Sequence, residues 1–151
     1  LHDQHPETRL LILGEGELRA EFEALVVDLG LKDVVDLPGF DANPYAYFKY
    51  ASLFVLSSNW EGLPGVLIQA LASKVKVVST NCPSGPMEIL ENSKFGLLVE
   101  CNDQAGLTQA MQQAIFADYV QYQEADFEAH IQQFHKQTVL KQYLRMMESA
   151  A

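Results

Sequence analysis

Glu61 and Gln69 are the side chains whose type and spacing most directly suggest chemistry. Glu61 closes a loop that follows an apolar segment, and Gln69 lies eight residues later, about one and a half turns into a helix predicted to begin near Pro64. A carboxylate accepts hydrogen bonds from the hydroxyls of a neutral sugar, and an amide both donates and accepts. The same spacing is also compatible with a solvated loop acid and an exposed helix residue.

The segment between these two residues predicts a binding site for an anion. Gly62 and Gly65 flank Leu63 and Pro64, and proline is favoured at the first helical position. Free N–H groups at a helix start, together with the helix dipole, bind a phosphate without a basic side chain. We therefore expect residues 62–65 to face a phosphate.

Gly14 and Glu88 are further candidate binding residues. Gly14 follows the first apolar run, and Glu88 follows the loop 81–86. A turn glycine and a first-turn acid favoured by the helix dipole remain equally simple interpretations. The full GxGxxG pattern is absent because position 19 is Arg.

The histidines and cysteines suggest no catalytic or metal chemistry. The histidines are expected at the surface, and the cysteines, which lack metal-ligand spacing, are expected to be reduced and structural. The positions concerned are His2, His5, His130, His135, Cys82 and Cys101. We expect no metal and no other cofactor.

The candidates are positioned by strands that alternate with helices. Such alternation specifies an α/β fold with a doubly wound parallel sheet, in which ligands bind beyond the carboxyl ends of the strands. The residues from 103 onward are expected to form a helical tail. Apolar runs predict strands near 9–13, 33–37, 51–56, 76–80 and 95–99, of which the first and the third are expected to be buried. Helical spacing predicts helices near 17–29, 44–50, 64–73 and 87–91.

Composition bounds the class of protein. The 151 residues, 48% of them hydrophobic, fit a single globular domain spanning 1–151. A formal net charge of -10 disfavours nucleic acid or an anionic membrane surface as a partner of the whole chain. No apolar run approaches the roughly 18 residues of a spanning helix, and the first residues lack the features of a secretory signal.

Several ordered motifs resemble the C-terminal half of the family 4 retaining glycosyltransferases. The resemblance runs from about Arg9 to Ala117, and residues 134–144 resemble the closing helix of that family. It is carried by Leu11–Gly16, Leu37–Phe40, Ser57–Ala72, Val77–Gly85 and Phe95–Val99.

This resemblance implies a Rossmann-like donor-binding domain of a two-domain GT-B enzyme that uses no metal. By resemblance, Glu61 is the catalytic-site acid that contacts hydroxyls of the donor sugar, and the backbone of 62–65 faces its phosphates. Gln69 stands where the family has an acid that binds the ribose hydroxyls. An amide lacks the charge-assisted strength of a carboxylate, so we expect weaker nucleotide binding. The residues 72–76 also depart from the family pattern.

The resemblance further implies that this chain is a fragment. The basic pair of the family's diphosphate clamp and the first, central strand would both precede it, and no Lys or Arg lies between Tyr50 and Ser73. We therefore expect an unpaired edge along 10–13, with poor stability or self-association through that edge.

The loop 81–86 together with 61–64 resembles the branch that builds bacterial surface polysaccharides. The expected reaction is retaining transfer from a UDP-hexose or UDP-N-acetylhexosamine to a cell-surface glycan or lipid-linked acceptor. The acceptor would be bound by the absent half, which leaves the isolated chain inactive. The expected location is cytoplasmic, including peripheral contact with the inner face of the membrane.

Two other functions remain open from the residues. A sugar-nucleotide epimerase would need an acid and base pair in the crevice, for which only Glu61 and Glu88 are placed. A non-catalytic nucleotide-sugar-binding module is favoured by Gln69 and by the missing basic pair.

Overall fold

The computed structural model describes residues 1–117, 119–120 and 122–149. Within these residues, strands and helices alternate up to residue 99 and helices follow. The chain divides into two compact units, Leu1–Tyr47 and Phe48–Ala151. The single domain expected over 1–151 stays a prediction.

The first unit is a parallel pair of strands joined by a helix. β1 (Leu10–Leu13) and β2 (Val35–Gly39) flank α1 (Arg19–Asp28), and α2 (Tyr45–Phe48) follows. The strands pair in parallel, with a slip in register between Leu11 and Leu13. Pro38 lies opposite this slip, and a proline has no N–H to donate to the ladder.

The prediction that the first strand is buried is wrong. Leu10, Leu11 and Ile12 are 45%, 41% and 36% exposed. The reason is that, among the described residues, β1 pairs with β2 alone, whereas a parallel strand is buried when strands flank it and helices cover both faces. The expected unpaired edge is therefore present in this unit.

The second unit is a three-stranded parallel sheet with helices. Its strands are β3 (Phe54–Leu56), β4 (Val77–Thr80) and β5 (Leu97–Val99), in the order β3-β4-β5. β4 is the central strand and all four of its residues are buried. The connecting helices are α3 (Gly65–Ala72) and α4 (Pro86–Ile89).

The described tail is mostly helical, with non-helical residues between its helices. α5 (Gln104–Phe116), α6 (Glu124–Gln132) and α7 (Lys136–Ser149) follow β5. Asp103 caps α5 by accepting a hydrogen bond from the Gly106 N–H at 2.8 Å. The part of the tail prediction that falls on 118, 121, 150 and 151 lies outside the described residues.

Two apolar clusters form the core of the second unit. One includes Phe95 and Phe127, whose ring centroids lie 5.7 Å apart, and the other is built around Val78. Tyr119 supports β4 directly, because its hydroxyl accepts from the Val77 N–H at 2.7 Å and donates to the Val77 carbonyl at 3.0 Å. Burial raises the pKa of Tyr119 to about 12.

The expectation that His130 lies at the surface is wrong. Its side chain is buried and stacks on the Phe95 ring at a centroid distance of 4.6 Å. Nε2 lies 2.8 Å from the Ile89 carbonyl oxygen. A hydrogen bond of this kind lets a polar ring enter the core, so His130 is a structural residue.

Candidate functional site

The carboxyl ends of β3, β4 and β5 carry the candidate site of the second unit. Parallel strands end at the same edge of a sheet, and ligands of such sheets bind there. β3 leads into residues 57–64, here called the Glu61 loop, and β4 leads into residues 81–85, here called the Gly85 loop. α3 begins directly after the Glu61 loop.

Glu61 is held through both its side chain and its backbone. The Ser58 hydroxyl donates to its Oε1 at 2.6 Å, and the Ser84 hydroxyl donates to its backbone carbonyl at 3.3 Å. The side chain is half-buried. A carboxylate in this position keeps further lone pairs for accepting hydrogen bonds from a ligand.

Ser58 is itself fixed to the sheet. Its carbonyl oxygen accepts from the Thr80 hydroxyl at 2.5 Å and from the Cys101 thiol at 3.9 Å. Thr80 is the last residue of β4 and is 4% exposed. The position of the Glu61 loop is thus set by hydrogen bonds from the end of β4 and from the residues that follow β5.

Gly85 brings the two loops into close approach. Its φ of +88° lies in a region that side chains disfavour, and a Cβ there would lie 2.4 Å from both the Gly62 carbonyl oxygen and Pro64 Cδ. Both atoms belong to backbone or to a proline ring, so neither can swing away. Only glycine fits at this position.

α3 starts one residue later than the sequence predicts. Pro64 is the N-cap, with ψ of 98°, because its extended backbone lies outside the helical region. The N–H groups of Leu67 and Ile68 both donate to the Pro64 carbonyl. Among the described residues no side chain caps this start, and Gly65 and Val66 are exposed. Their N–H groups point out of the first turn and suit an anion.

The other predicted residues fall in different places. Gln69 is half-buried on α3, Leu63 is exposed in the Glu61 loop, and Glu88 is exposed in the first turn of α4. Gly14 belongs to the first unit, where its N–H donates to the Gly39 carbonyl at 2.9 Å. The structure therefore joins Glu61, residues 62–65 and Gln69 in one loop and helix, and the binding roles of Gly14 and Glu88 stay predictions.

The charge around the site is acidic or neutral. Burial raises the pKa of the Cys82 thiol, and the neighbouring Cys101 and Glu61 raise it further. Cys82 is buried and both cysteines are free. Cys82 is thus a neutral, buried side chain of the Gly85 loop.

Sequence reasoning missed the residues that hold Glu61 in place. Ser58 lies three residues before Glu61, a separation at which a hydroxyl can reach a carboxylate. Ser84 and Gly85 precede a proline, which signals a turn. Their contacts with the Glu61 loop are tertiary and have no local signal.

Comparisons with known proteins relate the chain to glycosyltransferases. A family model described as glycosyl transferases, group 1, matches residues 1–144. An uncharacterized glycosyltransferase of Methanocaldococcus jannaschii is 43% identical over 88 residues, which are 58% of this chain and 22% of that protein. The N-acetylgalactosamine-N,N'-diacetylbacillosaminyl-diphospho-undecaprenol 4-alpha-N-acetylgalactosaminyltransferase of Campylobacter jejuni is 41% identical over 105 residues, 70% of this chain and 29% of that one.

Two solved structures are similar to the chain in fold. S. aureus TarM in complex with Fondaparinux, alpha-GlcNAc-glycerol and UDP superimposes with a TM-score of 0.85 at 23% identity, over 95% of this chain and 30% of TarM. The apo form of the lipopolysaccharide outer core galactosyltransferase WaaB gives 0.80 at 22% identity, over 99% of this chain and 44% of that one. The predicted Rossmann-like α/β fold of a GT-B half is confirmed.

The chain spans less than half of the length of each of these four proteins. Among the described residues, no helix combines the length and the apolar character that crossing a bilayer requires.

Proposed function

Because the chain belongs to the group 1 glycosyltransferases, we propose that it supplies the nucleotide-sugar donor site of a retaining glycosyltransferase. The donor is a UDP-hexose or a UDP-N-acetylhexosamine. The acceptor is a cell-surface glycan or a lipid-linked oligosaccharide, bound mainly by a part of the protein outside these residues. The chain by itself is then inactive.

The observation that carries this proposal is the Glu61 carboxylate fixed just ahead of an uncapped helix start. The Ser58 hydroxyl donates to the carboxylate at 2.6 Å. The exposed residues Gly65 and Val66 begin α3, and among the described residues no side chain caps that start. A nucleotide-sugar presents a negative diphosphate next to a neutral sugar. A helix start whose N–H groups bind an anion, beside an acceptor of sugar hydroxyls, matches that order.

In this proposal each predicted residue contacts one part of the donor. Glu61 accepts hydrogen bonds from hydroxyls of the sugar, residues 62–65 bind the diphosphate, and Gln69 binds the ribose diol. Glu88 is a further contact of the donor, and the binding role of Gly14 stays a prediction. Similarity to the relatives supports the substrate class, since the Campylobacter jejuni relative is named for transfer to a diphospho-undecaprenol carrier and the TarM structure contains UDP.

The proposed reaction needs little proton chemistry from this chain. The bond from the sugar's anomeric carbon to the diphosphate oxygen breaks, and a bond to the acceptor hydroxyl oxygen forms on the same face. The acceptor proton passes to the departing diphosphate. The N–H groups at the start of α3 stabilise the charge that develops on the leaving group.

Titration of the full-length protein with a panel of donors tests the proposal. Isothermal titration calorimetry with UDP, UDP-N-acetylglucosamine, UDP-glucose, GDP-mannose and ADP-glucose is run on wild type and Glu61→Ala. We expect one UDP-sugar to be preferred and the variant to keep UDP affinity while losing the gain from the sugar. Glu148→Ala, which removes an exposed acid on α7, is the matched control. Absence of binding in folded wild-type protein, or equal affinities in Glu61→Ala, would refute the assignment.

A non-catalytic binding module is the second candidate, favoured by the amide at Gln69 in place of the family's acid. The two candidates separate in one assay of the full-length protein. Transfer of radiolabelled sugar from the preferred donor to a lipid-linked acceptor establishes the enzyme. Donor binding without transfer or hydrolysis establishes the module.

We also propose partners outside the donor site. The exposed β1 edge of the isolated chain pairs with a second copy, because its unpaired N–H and C=O groups are a template for another strand. A lipid-linked acceptor places the full-length protein at the cytoplasmic face of the membrane.

A further inference from the structure

We propose that Ser58 is a positioning residue that orients the Glu61 carboxylate toward the donor sugar. This inference rests on the proposed function and adds a residue that neither the motif spacing nor the similarity to relatives assigns. Ser58 acts through Glu61 and touches no reacting atom.

The contact between the two side chains is strong for its type. The Ser58 hydroxyl lies 2.6 Å from Glu61 Oε1, in the range of hydrogen bonds to an ionised acceptor. A free glutamate side chain has several rotamers, and confining it on ligand binding costs conformational entropy. The serine removes part of that freedom before the sugar arrives.

The serine can do this because its own backbone is anchored. Its carbonyl accepts from the hydroxyl of Thr80, a buried residue of the central strand β4, and from the Cys101 thiol. The Ser84 hydroxyl fixes the Glu61 carbonyl from the Gly85 loop. These hydrogen bonds tie Ser58, and through it the Glu61 carboxylate, to the sheet as well as to the loop. The orientation of the carboxylate is therefore set by the sheet.

Orienting the Glu61 carboxylate should affect binding of the sugar and not binding of the nucleotide. Oε1 is engaged by the serine, so Oε2 and the remaining lone pair of Oε1 are presented to hydroxyls in one fixed direction. The diphosphate and the nucleoside bind to other groups in the proposal. Loss of the serine hydroxyl should then weaken binding of a nucleotide-sugar and leave binding of the free nucleotide unchanged.

The test compares two ligands on four forms of the full-length protein. UDP and the UDP-sugar preferred by wild type are titrated into wild type, Ser58→Ala, Ser58→Thr and Ser57→Ala. Removing a hydrogen bond to a charged group predicts about tenfold weaker binding of the UDP-sugar by Ser58→Ala, with UDP affinity within roughly twofold. Ser58→Thr restores the hydroxyl and the affinity. Ser57→Ala alters an exposed neighbour and has no effect.

A double-mutant cycle shows whether the serine acts through the glutamate. In a Glu61→Ala background, Ser58→Ala should cause no further loss of sugar affinity. If Ser58→Ala does not fold, Ser58→Cys retains the size of the side chain with a weaker donor and should give a smaller loss in the same direction.

The outcomes separate this inference from the proposed function. If wild type binds no nucleotide-sugar, the donor site is wrong and the role of Ser58 is lost with it. If wild type binds and Ser58→Ala binds equally well, only the role of Ser58 is refuted. An equal loss for UDP and UDP-sugar, or an undiminished loss in the Glu61→Ala background, would show a merely structural serine.

Discussion

Gly85→Ala should separate the two loops that form the candidate site. The added Cβ would lie 2.4 Å from the Gly62 carbonyl oxygen and from Pro64 Cδ, so the Glu61 loop must move. A side chain in so sparsely populated a backbone region costs about 1 to 3 kcal/mol, and overpacking adds about 1 to 3 kcal/mol. We expect the free energy of unfolding to fall by about 2 to 6 kcal/mol.

The measurement is urea-induced unfolding of the full-length protein, together with UDP affinity. Gly65→Ala is the matched control, since a Cβ there meets no atom within 4 Å and φ is not positive. It should leave the unfolding midpoint close to that of wild type. Gly85→Ala should lower the midpoint and weaken UDP binding together, because the diphosphate-facing backbone shifts with the loop.

The reasoning fails if Gly85→Ala unfolds within about 0.5 kcal/mol of wild type and keeps its UDP affinity. Such a result would mean that the loops separate freely and that their close approach does not shape the site. A loss of the same size in Gly65→Ala would refute it in another way, by showing that any methyl group in this region is destabilising.

Three further changes test other parts of the account. Tyr119→Phe removes the hydroxyl that pairs a buried N–H of β4, and urea unfolding should show a loss of about 1 to 3 kcal/mol; an unchanged midpoint contradicts this. Gln69→Glu should bind UDP-sugars several-fold more tightly in calorimetry, because a carboxylate binds a diol more strongly than an amide; equal affinity contradicts it. Leu11→Lys should shift the isolated chain toward monomer in sedimentation velocity, since a charged side chain disfavours pairing at a strand edge. Unchanged association would contradict self-association through β1.

The order of elements could be predicted from the sequence because it is encoded locally. Apolar runs and Gly or Pro residues placed β3, β4 and α3 within about three residues of their observed bounds. The burial of β1 could not be predicted in this way. An apolar run shows that a strand prefers a core, but whether a core surrounds it depends on elements far along the chain.

The candidate site could be proposed from local sequence, but the contacts that support it could not. Glu61 and residues 62–65 were singled out because their types and spacing are local. Ser58 is held by Cys101, which lies 43 positions away, and His130 is buried through a contact with Ile89, 41 positions away. Contacts at such separations leave no periodic trace in the sequence.

The missing core of the first unit has a consequence for synthesis. All residues of 1–47 are described, and Gly39 alone among them is buried. The ribosome releases this segment before any residue of the two core clusters, and making the following residues 48–134 takes roughly 4 to 17 s at about 5 to 20 residues per second. During those seconds residues 1–47 contain no buried cluster of their own in which β1 can pack, and chaperones can bind the exposed strand.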